Sequence, residues 1–258
     1  MSSIPKLLKL KDYITLVGTT LGIIALICGA IGTRDIISLG FFLISLTLGT
    51  DIIDGYIARK TNTVNEIGKE LDSLSDSLTF GIAPAILSFQ GFKSGTLYDI
   101  VLLIGCICFA LGAILRLARF NISDKVGYTG VPTPLSALLI IIFFYANYFN
   151  ALAFGGISIP FSPITIYSIP FILAAIGWLN ITTHISFGEK SKRTYAVIII
   201  IAPLCPIFGI IGLLNINTIV NMVVSFIFLG SFFGLLGYFM YGFYIKYKTG
   251  REKSKDKL

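Results

Sequence analysis

Long apolar runs follow one another along the chain, broken by polar interruptions of only a few residues. Eight of them reach membrane-spanning length, at roughly 14 to 32, 36 to 58, 65 to 89, 97 to 119, 132 to 152, 165 to 183, 195 to 214 and 219 to 246. Each is continuous and near the ~20 residues that a helix needs to cross a bilayer, whereas a β-barrel would show short segments alternating apolar with polar. The pattern predicts an all-α polytopic membrane bundle of about eight transmembrane helices, with backbone polar groups satisfied inside the helices. No Ser/Gly linker divides the runs, so 14 to 246 is expected to form one membrane domain, followed by a basic tail at 247 to 258. Residues 1 to 13, MSSIPKLLKLKDY, interleave Leu7, Leu8 and Leu10 with Lys6, Lys9 and Lys11. That suits a short amphipathic helix in the headgroup region or, equally, a plain basic tail. The first apolar run is too long for a cleaved leader and has no small-residue cleavage site, so it is expected to stay in the chain.

Composition agrees with the pattern: of 258 residues, 55% are hydrophobic and 13% charged, with a mean hydropathy of +0.87, far from a soluble domain. The distribution of charge adds orientation. Eighteen of the twenty Lys and Arg fall at the termini and in alternate loops, and only Arg34 and Lys93 fall on the other side. The positive-inside rule then puts both termini and the even-numbered loops in the cytoplasm, so the protein is expected in the cell membrane with its basic layer against anionic lipid heads. The net charge of +7 therefore indicates a membrane partner and not nucleic acid.

One polar stretch does not fit a purely structural bundle: DIIDGYIARKTNTVNEIGKELDSLSDSLTFG, residues 51 to 81. Asp51 and Asp54 lie near the cytoplasmic end of the second run, and Asp72 and Asp76 lie in the cytoplasmic half of the third. Spacings of three and four put each pair on one helical face, with Gly68, Asp72 and Asp76 in a single stripe. Thr63 and Glu66 fit a capping box, which would start the third helix there. A carboxylate at the centre of a spanning helix costs about 2.5 to 3.5 kcal/mol, so four together call for compensation. Arg59 supplies a single positive charge. One or two divalent cations would answer the rest, because carboxylate oxygens are the ligands that Mg²⁺, Mn²⁺ and Ca²⁺ prefer. The plainer reading is a polar cluster lining a water-filled cavity.

The same residues read D-x-x-D-G-x-x-A-R-x₈-G-x₃-D-x₃-D, with Asp51, Asp54, Gly55, Ala58, Arg59, Gly68, Asp72 and Asp76 at the defined positions. This resembles the signature of the CDP-alcohol phosphatidyltransferase family. The segments LDSLSDSLTFGIAPA, LRLARFN and GVPTP, together with the count of eight spans, resemble its phosphatidylserine synthase branch. The resemblance covers most of residues 51 to 136. It implies a donor, CDP-diacylglycerol or the archaeal ether analogue CDP-archaeol, whose phosphatidyl group passes to an alcohol with release of CMP, and for this branch the alcohol is L-serine. It further implies that Asp51, Asp54, Asp72 and Asp76 hold metal and that Asp76 acts as general base on the alcohol. Asp51, Gly55, Ala58, Arg59, Gly68 and Asp72 would then receive the nucleotide. It also implies a tendency to form homodimers. Small residues at 55, 58 and 68 would let the nucleotide approach the backbone, although tight helix packing also favours them.

Arg116 and Arg119, three apart at the cytoplasmic end of the fourth run, face the same side of the membrane as the aspartates and suit a phosphate or the serine carboxylate. Ordinary anchoring of a span end also accounts for them. Asn121, Lys125 and the turn from Pro132 to Pro134 would shape the same entrance. Lys190, Lys192 and Arg193 are weaker candidates for phosphate contact. Cys28, Cys106, Cys108 and Cys205 lie in apolar spans with no histidine companion, which argues for core thiols and against disulfide or zinc chemistry. His184, the single histidine, reads as an interfacial polar group. Gly18-x-x-x-Gly22 and Gly230-x-x-x-Gly234 would pack helices within or between subunits. Two alternatives stand beside the serine reading. One keeps the family but changes the acceptor, to glycerol 3-phosphate or inositol phosphate. The other is a cation transporter, which should carry ionisable groups on several helices at depth, and the later runs have almost none.

Overall fold

The computed structural model describes residues 7–61, 66–122, 130–156, 160–185, 197, 199–214 and 217–255. The described residues are helical and loop, with no strand among them. In chain order the helices are α1 (Leu10–Ile31), α2 (Arg34–Thr61), α3 (Glu66–Asp76), a π-helical segment (Ser77–Ile82), α4 (Ala83–Phe92), α5 (Asp99–Ile122), α6 (Thr133–Phe154), α7 (Pro163–Ile181), α8 (Leu204–Leu214) and α9 (Thr218–Lys255). Six of these, α1, α2, α5, α6, α7 and α9, are long and apolar enough to cross a membrane. The third expected span is a composite: the chain is helical from Glu66 to Phe92, passing through the π segment on the way. The seventh is a shorter apolar helix, Ile199–Gly212, interrupted by a turn at Ala202 and Pro203. Pro203 lacks a donor and disfavours the helical conformation at the residue before it. The protein is thus a multi-pass helical membrane bundle.

Helix α1 starts at Leu10 and carries Lys11 and Asp12 in its first turn. Helix α9 runs on through Lys255. The expected capping residue Thr63, the loop residues 62–65, Lys125, Lys190, Lys192 and Arg193 lie outside the described residues.

Packing centres on α6, whose residues from Leu135 through Ala146 are buried all round. Phe144 meets Phe41 of α2 at 4.4 Å between ring centroids, and Tyr145 meets Phe228 of α9 at 5.4 Å. A helix apolar on every face belongs in the middle of a bundle. Elsewhere small residues decide the contacts. Gly112 of α5 lies so close to Gly177 of α7 that a Cβ on either would overlap the other helix's backbone, and Gly105 likewise abuts Pro170. Gly18 and Gly22 bring α1 against Thr50 of α2 and Thr79 of the π segment, whereas Gly230 and Gly234 face open space. The first GxxxG motif therefore packs inside the chain. Cys28, Cys106 and Cys205 are buried as expected; Cys108 is exposed, because it lies on the outward face of α5.

Candidate active site

The buried face of α1 is its most polar one. Lys11, Asp12, Thr15, Gly18 and Gly22 point inward, and the large apolar residues Val17, Ile23, Ile24 and Ile27 point outward. A membrane helix has no hydrophobic reason to turn its apolar side in, so polar and small residues collect where helices meet. Gly18 and Gly22 allow α1 to approach α2 and α3 closely. Two side-chain bonds then fix the register: Thr15 Oγ1 donates to Asp54 Oδ2 at 2.9 Å, and Thr19 Oγ1 donates to Ser75 Oγ at 2.8 Å.

These three helices and the π segment enclose a cleft of about 210 Å³, counting the open space at its mouth. Its walls carry Asp51 and Asp54 from α2, Asp72 and Asp76 from α3, and Thr15, Thr47, Thr50, Ser75 and Thr79 around them. Asp51, Asp72 and Asp76 each offer a carboxylate oxygen within 4.8 Å of the others. Asp54, one turn from Asp51, lines the same cleft with its carboxylate held by Thr15. Three negative groups so close repel one another, and an all-oxygen donor set of this kind fits a hard divalent cation. The acidic group could hold a metal ion.

The π segment begins immediately after Asp76. Its wider turn is visible at Ala83, whose N–H reaches back five residues to the Leu78 carbonyl. Pro84 follows, with no N–H to give and a ring that clashes with the carbonyl four residues earlier in a regular helix. A widened turn relieves that clash, and such turns recur at functional sites. Here it ends the regular helix at the last aspartate of the motif.

The two arginines of α5 part company. Arg116 is buried, donates from Nη1 to Thr133 Oγ1 at 3.2 Å, and acts electrostatically on Asp76. Arg119 turns instead to the end of α7, donating to the carbonyls of Ile181 at 2.7 Å and Asn180 at 3.4 Å. Asn121 bonds α3, accepting from Ser73 Oγ at 3.0 Å through its side chain and from Lys69 Nζ at 3.4 Å through its carbonyl. Gly68 is buried in the first turns of α3, and Gly55 is half-buried one turn from Asp51. The side chains of Ala58 and Arg59 lie outside the described residues.

Lys11 and Asp12 are the charged residues at this site that the sequence reading assigned elsewhere. Lys11 Nζ lies 2.9 Å from Asp12 Oδ1, and its charge acts on Asp54 and Asp72. The signal was the spacing 11, 15, 18, 22, a polar and small stripe running from the basic segment into the first apolar run.

Residues 8–166 match the family model of CDP-alcohol phosphatidyltransferases. Among curated proteins, the chain is 40% identical over 141 residues to a CDP-diacylglycerol–serine O-phosphatidyltransferase of Methanocaldococcus jannaschii, a match covering 55% of this chain and 63% of the relative. It is 31% identical over 172 residues to an archaetidylserine synthase of Methanothermobacter thermautotrophicus, covering 65% and 71%. A Helicobacter pylori CDP-diacylglycerol–serine O-phosphatidyltransferase is 37% identical over 107 residues, covering 39% and 44%. The chain thus spans between about two fifths and seven tenths of the length of these relatives.

Proposed function

The chain belongs to the CDP-alcohol phosphatidyltransferase family, and we propose from that premise that it transfers the phosphatidyl group of CDP-diacylglycerol, or the equivalent group of CDP-archaeol, to L-serine with release of CMP. The observation that carries the reading is the meeting of Asp51, Asp72 and Asp76 within 4.8 Å, with Arg116 acting on Asp76. The names of the relatives support L-serine over glycerol 3-phosphate or inositol phosphate, and one of them supports an ether-lipid donor.

In this reading Asp51, Asp54, Asp72 and Asp76 form the metal-holding set. Bound there, one or two divalent cations, Mg²⁺ or Mn²⁺ with Ca²⁺ also accommodated, supply neutralising charge to the donor pyrophosphate and the leaving phosphate. The family resemblance assigns Gly55, Ala58, Arg59 and Gly68, with Asp51 and Asp72, to receiving the nucleotide. Asp76 takes the proton of the serine hydroxyl as its oxygen bonds to the lipid-side phosphorus and the bond from that phosphorus to the CMP oxygen breaks. Arg116 holds the serine carboxylate, which places the hydroxyl between itself and Asp76. Arg119 and Asn121 support this acceptor wall by fastening α5 to α7 and α3. The distribution of basic residues supports a site and both termini at the cytoplasmic face of the cell membrane. A homodimer is part of the reading, and the open face of α9 at Gly230 and Gly234 is compatible with it.

The test is CMP release by the purified protein from either CDP-lipid with L-serine, glycerol 3-phosphate or inositol phosphate as acceptor. Serine should give the fastest release. Faster release with either phosphate would leave the family assignment intact and remove the acceptor assignment.

A further inference from the structure

Two cations act on the carboxylates of the cleft, Arg116 of α5 on Asp76 and Lys11 of α1 on Asp54 and Asp72. Of these two, the proposed reaction uses Arg116. A lysine near a span end ordinarily extends its ammonium into water or the headgroups. Lys11 instead is 8% exposed, and its partner Asp12 is fully buried.

The pair is built in from the backbone outward. Asp12 Oδ2 accepts the Lys9 N–H at 2.7 Å, which anchors the carboxylate in the first turn of α1. Asp12 Oδ1 lies 2.9 Å from Lys11 Nζ and so fixes the ammonium. The Lys11 carbonyl lies 3.2 Å from Thr15 Oγ1, the hydroxyl that also bonds Asp54. A buried ion pair is weak evidence for stability, because desolvating two charges costs about as much as their attraction returns. An ammonium carries three N–H donors, which suit the oxygens of a phosphate.

We propose that Lys11 binds a phosphate of the cytidine-activated lipid and that Asp12 is the positioning residue that aims it. The inference rests on the donor half of the reading above and is independent of which alcohol is the acceptor. An ammonium at this place would also suit the carboxylate of an amino-acid acceptor. The donor is favoured because Lys11 sits one turn before Thr15, whose hydroxyl bonds Asp54, whereas the cation that acts on Asp76, Arg116, comes from α5.

The experiment is calorimetric binding of CDP to the purified full chain with Mg²⁺, which needs neither serine nor turnover, alongside KM for both substrates. Lys11→Met should weaken CDP about tenfold, the size of a lost charge-assisted hydrogen bond, and raise KM for the CDP-lipid while leaving KM for serine unchanged. Lys11→Arg should retain most of the affinity, and Asp12→Asn should lose part of it. Thermal unfolding reports whether each variant is folded; should Lys11→Met fail, Lys11→Gln, which keeps a donor toward Asp12, carries the same expectation. Weakened CDP binding upholds the inference even if serine proves not to be the acceptor. Unchanged CDP affinity in the folded charge-removing variant, or a rise confined to the serine KM, overturns it.

Discussion

Thr15 of α1 donates its hydroxyl to Asp54 of α2 at 2.9 Å, which ties α1 to an acidic motif whose Asp54 lies 39 residues later. The bond gives one Asp54 oxygen a fixed direction, and it does so from a helix that contributes no residue to the motif. Thr15→Val keeps the shape and removes the donor. Activity should fall about tenfold with the fold retained, since a hydrogen bond to a charged group contributes roughly 1.5 to 3 kcal/mol, and Thr15→Ser should restore most of it. Steady-state rates with unfolding midpoints for the three proteins check this.

Removal of divalent metal should stop turnover, and added Mg²⁺ or Mn²⁺ should restore it. The three converging carboxylates also predict a structural readout. Metal should raise the unfolding temperature of the wild-type protein, as any ligand specific for the folded state does, and Asp51→Asn or Asp72→Asn should abolish that rise. Scanning calorimetry with and without chelator measures it.

The two arginines of α5 should give different phenotypes. Arg116→Met is expected to raise the serine concentration needed for half-maximal rate, because the guanidinium acts at Asp76. Arg119→Ala is expected mainly to lower stability, because its bonds go to the carbonyls that end α7. A split between KM and unfolding temperature separates them.

Backbone contact between α5 and α7 predicts a further contrast. Gly112→Leu should destabilise the bundle by roughly 1 to 3 kcal/mol, the usual cost of overpacking, since even a Cβ there meets Gly177. Gly230→Leu should leave the unfolding temperature of the fold nearly unchanged, because its surroundings are open. Parallel thermal scans in one detergent compare the two.

Much of this site was legible because its information is local. Asp51 with Asp54 and Asp72 with Asp76 sit at helical spacing on two helices joined by a short loop, so their convergence follows from period and topology. Lys11 and Asp12 were hidden for a physical reason: charged residues ahead of an apolar run look the same whether they meet headgroups or turn inward against another helix. Only the packing of Gly18 and Gly22 decides between these. The fate of Arg119 was equally out of reach. Three residues along a helix leave two side chains about 60° apart, enough to send one toward Asp76 and the other to α7. The π segment depended on how the helix around Pro84 relieves its strain, and spacing rules assume a regular helix.

The most direct test follows isotopically labelled L-serine and CMP together in one reaction, with purified protein, CDP-diacylglycerol or CDP-archaeol, and Mg²⁺ or Mn²⁺. The account predicts one serine incorporated into lipid for each CMP released, abolished by chelator and reduced at least about a hundredfold in Asp76→Asn, as befits loss of a general base. CMP release without serine appearing in lipid, or transfer that persists at full rate in excess chelator, would contradict it.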